Sequence, residues 1–243
     1  DQFIETWPIE RVRSMSIDEY TKAGSRESFT YWIESKLDQM GSIWGGSAFK
    51  FGIYSRDDTE VKESTGNRMY SAEYGWLDKY GETPEEAFKT VKAEILKTIE
   101  AVQSGDINII DDVDLGHAFK WKIAFHYQDR SSPKVIPIFK PEALHAITQS
   151  EGKIPASQIH TELIKQKQAG KDLLSYGREL WGHYSGMATI WKVSHGKGDF
   201  SPEERQKLLD RKVVMVHGST KKGQGDAFAN EMKPGDYFYL CHG

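Results

Sequence analysis

The chain has 243 residues, 38% of them hydrophobic and 28% charged, with 32 Lys and Arg against 36 Asp and Glu for a net charge of −4. That balance suits a globular chain of one large domain or two modest ones, and it excludes a protein coated in basic surface, though not a local basic groove. No run approaches the ~20 apolar residues that cross a bilayer, the first residues carry no secretory pattern, and one cysteine, Cys241, excludes an intramolecular disulfide or a cysteine-rich zinc site. A cytoplasmic address is expected. Aromatics make up 12% of the residues, with seven Trp, which serves a core and stacking surfaces alike.

Residues 1–24 read as a polar packing arm anchored by Trp7, Ile9, Val12 and Met15, with one helical turn near Ile17 to Thr21. Over 25–40, Phe29, Trp32, Ile33, Leu37 and Met40 recur at helical spacing, and Gly41 stands where a C-cap belongs. Phe49, Phe51 and Ile53 then alternate with Ala48, Lys50 and Gly52, which predicts a half-buried strand. Gly45-Gly46 before it reads as a bulge or turn, or as a nest for an anion. The polar stretch 55–68 predicts an exposed hairpin tip or a mobile loop. Tyr70, Tyr74, Trp76 and Tyr80 follow, either an inner face with wet hydroxyls or a grip for a ring.

Thr83, Pro84 and Glu86 spell a capping box with proline at the first helical position, and Phe88, Val91, Ile95, Ile99 and Val102 mark one stripe of the helix that follows, to Gly105. Asp111, Asp112 and Asp114 form an acidic knot, a solvated turn or a divalent-cation site. Between 117 and 127, Phe119, Trp121, Ile123, Phe125 and Tyr127 alternate with Ala118, Lys120, Lys122, Ala124 and His126. That period predicts a strand with a ring-lined face and a face carrying Lys120 and Lys122, a row able to rest against phosphates, or simply a solvated or edge-guarding face. Residues 134–139 read as its partner at an edge, because Pro137 interrupts them, and 141–148 as a short helix. Two amphipathic helices over 155–170 and 171–182 follow a boundary near Ser150; they join two domains or form a small lid on the first, and Trp181 to Gly186 reads as a second boundary. The expected organisation is α+β: a mixed α/β domain with an antiparallel sheet over 1–150, a helical connector over 151–186, and a small domain over 187–243.

That last stretch is the most informative. Ala188 to His195 reads as a strand. Ser201, Pro202 and Glu204 sign a capped helix. Lys212 to His217 reads as a second strand, and Lys233-Pro234-Gly235-Asp236 as a tight turn into a third over 237–242. The order, together with Met232-Lys233-Pro234-Gly235-Asp236 before a hydrophobic strand ending at His242, resembles the EVE domain of the PUA-like superfamily; His217-Gly218-Ser219-Thr220 replaces that family's own polar loop. The resemblance implies the first part of a PUA-like β-barrel, cut short by the end of the chain. It implies a pocket for a modified base flipped out of a duplex, lined by Trp191, Ser194, His195, His217, Ser219 and Thr220, with Lys221 and Lys222 on the flanking phosphates. Each of these residues also has an ordinary structural use, and their convergence from separate segments is what singles them out.

Residues 41–54 and Lys120-Trp121-Lys122-Ile123-Ala124-Phe125 resemble the N-terminal regions of McrB-type, modification-dependent restriction proteins, where recognition modules precede a nucleotide-hydrolysing motor. No phosphate-binding Gly-x-x-x-x-Gly-Lys-Ser/Thr motif is present, so the likeness implies a DNA-recognition part of a defence system, working with motor and nuclease subunits and itself without catalysis or cofactor. Two rival readings stand beside it: a metal-dependent nuclease using Asp111, Asp112, Asp114 and Lys122, and a protein-interaction module without a nucleic-acid ligand.

Overall fold

A computed structural model describes residues 2–57, 60, 62–150, 154–186, 190–195, 201–210 and 237–242; for the strands beyond residue 186 the description is of the backbone. The chain divides into two compact units, Asp1–Tyr184 and Ser185–Gly243. The architecture is mixed α/β, mostly helical. No described helix is long and apolar enough to cross a membrane.

The first unit opens with three short helices, α1 (Gln2–Thr6), α2 (Ile9–Ser14) and α3 (Ile17–Tyr20). They bury Phe3, Trp7, Val12, Met15 and Tyr20 in the core, so the polar arm of the sequence is a packed one. Apolar burial holds such short helices where propensity alone would not. Local bonds assist: Ser16 and Glu19 form a reciprocal capping box on α3, and the Tyr127 hydroxyl donates to the Trp7 carbonyl at 2.6 Å.

The helix expected over 25–40 is broken. α4 (Phe29–Tyr31) starts at Ser28, widens into a π turn over Trp32–Lys36 and tightens into a 3₁₀ turn over Asp38–Met40. The Leu37 amide reaches back five residues to the Trp32 carbonyl, 3.0 Å away, while the Leu37 carbonyl accepts a bond from the buried Lys122 ammonium. Gly41 then takes φ 108°, and a Cβ there would sit 2.5 Å from Phe139 Cε2, so glycine is required twice over.

The strand expected around 49–53 is mostly a 3₁₀ turn, Ala48–Phe51, started by the Ser47 hydroxyl and ended by Gly52 at φ 80°. Only β1 (Ile53–Ser55) pairs, joining β2 (Arg68–Tyr70) and β3 (Tyr74–Leu77) in an antiparallel sheet of order β1-β3-β2, with Ile53 and Met69 both opposite Trp76. α5 (Pro84–Ser104) is the helix the sequence promised, with its Thr83–Glu86 box intact and Gly105 in the left-handed conformation at its end. α6 (Asn108–Asp111) leads to α7 (His117–Tyr127), which packs on α5.

Residues 117–127 are therefore helical, not a strand. Every residue from Phe119 to Tyr127 is buried, so the alternation of rings and small or polar residues reports burial on all sides, not a sheet with one wet face. Without that strand, 134–139 has no ladder partner among the described residues. The Gln128 side chain serves instead: its Nε2 donates to the Val135 carbonyl at 2.9 Å, and its Oε1 accepts from the Lys134 and Val135 amides at 2.8 Å each. This satisfies backbone groups that burial would otherwise strand.

α8 (Pro141–Thr148), α9 (Ala156–Gln166) and α10 (Leu173–Gly186) complete this part of the chain. Ile159, Leu163, Tyr176 and Leu180 join the same core, the Tyr176 hydroxyl donates to the Leu163 carbonyl, and the Ile136 amide donates to His160 Nδ1. The two helices, expected to join two domains or to lie as a lid on the first, thus share the core of the first unit. In the second unit β4 (Ile190–His195) and β5 (Tyr237–His242) pair in parallel. Between them in sequence lies α11 (Pro202–Asp210), capped by Ser201 and Glu204 as the sequence predicts. The strand expected over 212–217 and the turn over 233–236 lie outside the described residues.

Candidate functional site

The sequence nominates residues on two faces. On the second unit, Trp191, Ser194 and His195 fall on β4, in register with Phe238, Cys241 and His242 of β5. Because the strands are parallel, both carboxyl ends meet at one edge, with His195 beside His242. His217, Ser219, Thr220, Lys221 and Lys222 lie outside the described residues.

Lys120 and Lys122, expected on an exposed face toward phosphate, are buried in α7. Lys120 Nζ donates to the carbonyls of Asp111 and Val113, at 2.7 and 2.9 Å, and Lys122 Nζ to that of Leu37 at 2.9 Å. Burial lowers the affinity of both for a proton, that of Lys122 to a pKa of about 8. Two positions apart on a helix they diverge by about 200°, so no common face presents them to a nucleic-acid backbone.

The same geometry dissolves the nuclease constellation. The acidic knot wraps Lys120, the Asp111 carboxylate accepts the Ser157 amide at 3.2 Å, and the Asp114 carboxylate pairs with Lys79 at 2.5 Å. Lys122 lies toward Leu37 instead. Among the described residues no group of three or more His, Cys, Asp or Glu is placed to hold a metal ion. The carboxylates tie α6 and the following loop to their neighbours.

In the tyrosine-rich stretch Trp76 and Tyr80 face inward while Tyr70 and Tyr74 are half-buried, and three of the four polar tips have partners. Trp76 Nε1 donates to the Gly81 carbonyl, the Tyr80 hydroxyl to the Asp114 carbonyl and the Tyr74 hydroxyl to Asp18. Burial and then the Asp18 carboxylate hold the Tyr74 hydroxyl protonated up to about pH 12. Gly45-Gly46 is not an anion nest. Its loop turns carbonyls inward, with Lys50 Nζ bonded to Ile43 O at 2.8 Å, Gly45 O at 2.7 Å and the Glu34 carboxylate. That clasp holds Trp44 outward, 77% exposed.

Sequence reasoning missed a cleft in the first unit. It has a volume of about 290 Å³ and lies between residues 38–42, residues 137–140 and α10. Its walls close because glycines allow contact: a Cβ on Gly177 would meet Pro137 Cγ at 2.4 Å, as one on Gly41 would meet Phe139. Phe139, Met40 and Leu174 give an apolar lining, and Lys140 and Arg178 stand on the wall with Trp181. The Lys140 ammonium is 5.9 Å from the Trp181 ring, and Trp181 is 39% exposed. The sequence signal was Trp181, at the end of the amphipathic helix expected over 171–182. A neighbouring hollow of about 450 Å³ shares Met40 and Leu174, but two of its cations are engaged locally, Lys171 by Glu179 and Lys167 by the carbonyls of Gln168 and Lys171.

Compared with models of protein families, with curated proteins and with solved structures, the chain finds no match.

Proposed function

We propose that the chain is a nucleic-acid recognition module that reads a modified base in DNA by base flipping, as the specificity part of a modification-dependent restriction system. In this reading the second unit is the opening part of a PUA-like barrel. The observation that carries it is the parallel pairing of β4 with β5, in register, after an intervening capped helix. Parallel strands joined through a helix gather their carboxyl ends at one edge, and such edges are where α/β arrangements hold ligands. Here the backbone positions of Ser194, His195 and His242 fall at that end of the pair, and in this reading their hydroxyl and imidazole groups serve the edge and face of one base. Trp191 lies three residues earlier on the same strand. His217, Ser219 and Thr220 complete the pocket, and Lys221 and Lys222 supply the phosphate contacts.

Fluorescence anisotropy on duplexes carrying different cytosine and adenine modifications tests this. Tighter binding to one modified duplex than to its plain counterpart is expected, weakening steeply with salt. His217→Ala removes the preference, while Lys221→Ala with Lys222→Ala weakens all duplexes alike and flattens the salt slope. Equal affinity for every duplex sinks the reading.

A further inference from the structure

We propose that the cleft against α10 in the first unit binds a nucleotide: a planar base with its phosphate, either free or as an unpaired residue of a single strand. This site lies wholly within the first unit and does not rest on the base-reading pocket of the second.

Three features of the cleft select that chemistry. Trp181 offers a plate that is neither buried nor fully exposed, one wall of a slot floored by Phe139 and Leu174. Base stacking on such a ring is strong and tolerant of sequence. Lys140 and Arg178 stand beside the plate, both exposed, and among the described residues neither side chain makes a hydrogen bond or an ion pair within 4 Å, Arg178 acting on the Asp172 carboxylate only from farther away. Their charge is available to an anion, in contrast to Lys167 and Lys171 in the neighbouring hollow. Asp38 and Ser42 line the same cleft and can accept from an amino group or a sugar hydroxyl. At about 290 Å³ the cleft is at the small end of ligand sites, which favours one ring system over a peptide segment.

Trp44 distinguishes the two sources. It lies two residues beyond Ser42, within about 7 Å of it along the chain. The Lys50 clasp holds its loop in place. A strand seated in the cleft meets this second ring with its next base; a free nucleotide does not.

The test uses the full chain with a fluorescein-labelled ten-residue oligothymidylate, followed by anisotropy, and thymidine monophosphate and thymidine as competitors. The oligonucleotide binds, the monophosphate competes, and thymidine competes at least tenfold more weakly because it lacks the phosphate. Trp181→Ala weakens binding by about tenfold, while Trp181→Phe, which keeps a plate, stays within about threefold. Lys140→Ala with Arg178→Ala weakens it by about tenfold and lowers the log–log salt slope by about 1.4, the value for two phosphate contacts on a single strand. If Trp44→Ala weakens the oligonucleotide and not the monophosphate, the ligand is an unpaired strand; no effect on either identifies a free nucleotide. The site is overturned if neither probe binds at millimolar concentration, or if the Trp181→Ala and Lys140→Ala, Arg178→Ala proteins bind as the native one does. Modified-duplex preference retained in Trp181→Ala separates this site from the base-reading pocket, and oligonucleotide binding without any duplex preference leaves this site standing while that reading falls.

Discussion

Helices α5 and α7 lie against each other in one core, yet only one of them announces itself in the sequence. α5 has a wet side. Its apolar residues must fall on one stripe, its start is signed by Thr83, Pro84 and Glu86, and its end by Gly105. α7 has no wet side from Phe119 onward. It starts at Gly116 without a side-chain cap, and its polar residues are buried with its rings. A helix that touches protein all round is free of the 3.6-residue period, because solvent imposes that period and solvent is absent. What remains is a local alternation of large and small volumes, which imitates a strand. Buried polar groups in such a helix need partners or must stay neutral. Lys120 and Lys122 take carbonyls, and His126 stays neutral with neither ring nitrogen partnered among the described residues.

The comparison can be broken by experiment, most severely at Trp121. Trp121→Ala should cost about 3–5 kcal/mol in urea unfolding, the range for emptying a large buried site, and a cost under 1 kcal/mol would mean α7 has a solvent face after all. Acid comes next. Burial, and for His126 the nearby Lys122 charge, lower the pKa of His126 and His160 to about 3. Each is neutral in the folded protein while the unfolded chain takes up a proton near pH 6.5, so their full contribution is present above pH 6.5 and drains away as pH falls toward 3. By pH 5 the loss is about 2 kcal/mol per histidine, and His126→Leu should flatten the pH dependence by that amount; an unchanged acid profile would count against a buried His126.

A gentler probe is Lys122. Its pKa of about 8 lies below the ordinary 10.5, so the folded protein sheds a proton that the unfolded chain keeps, and stability rises with pH between those values. The gain is about 1.5 kcal/mol between pH 8 and 9.5, and Lys122→Met should abolish it while leaving stability at pH 7 within about 1 kcal/mol, since replacing a buried ion by an apolar isostere is often neutral. A rise that persists in the variant would locate its source elsewhere. The smallest effect sharpens the other side of the comparison. Thr83→Ala should cost α5 about 1 kcal/mol, the worth of an N-cap hydroxyl, whereas α7 has no side-chain cap to lose.

Legibility follows the same division elsewhere in the chain. The helix at 202–210 was readable because Ser201 and Glu204 satisfy each other locally, without help from the rest of the fold. The break at residues 32–40 was not, because a widened turn there is set by where Leu37 meets Lys122, 85 residues away in sequence. Among the candidate site residues, Ser194 and His195 lie on a strand, as the sequence suggests. Lys120 and Lys122 were misplaced because charge on its own does not say whether water or a carbonyl will solvate it. The cleft beside Trp181 was invisible. It depends on Gly41 and Gly177 letting three distant segments touch, and a glycine in sequence does not name its neighbour.

Caps, turns and one-sided stripes are therefore what the amino-acid order determined unaided: α5, α8, α11 and the boundaries around them. Each is closed by bonds among residues within a turn or two of one another, or by the demand that one face meet water. Tertiary structure alone decided the helical state of 117–127, the burial of its lysines, the packing of α9 and α10 into the first unit's core and the cleft that α10 helps to form. In those places the partner of every group is another part of the chain, and the energy of choosing it depends on a three-dimensional neighbourhood that no local window contains.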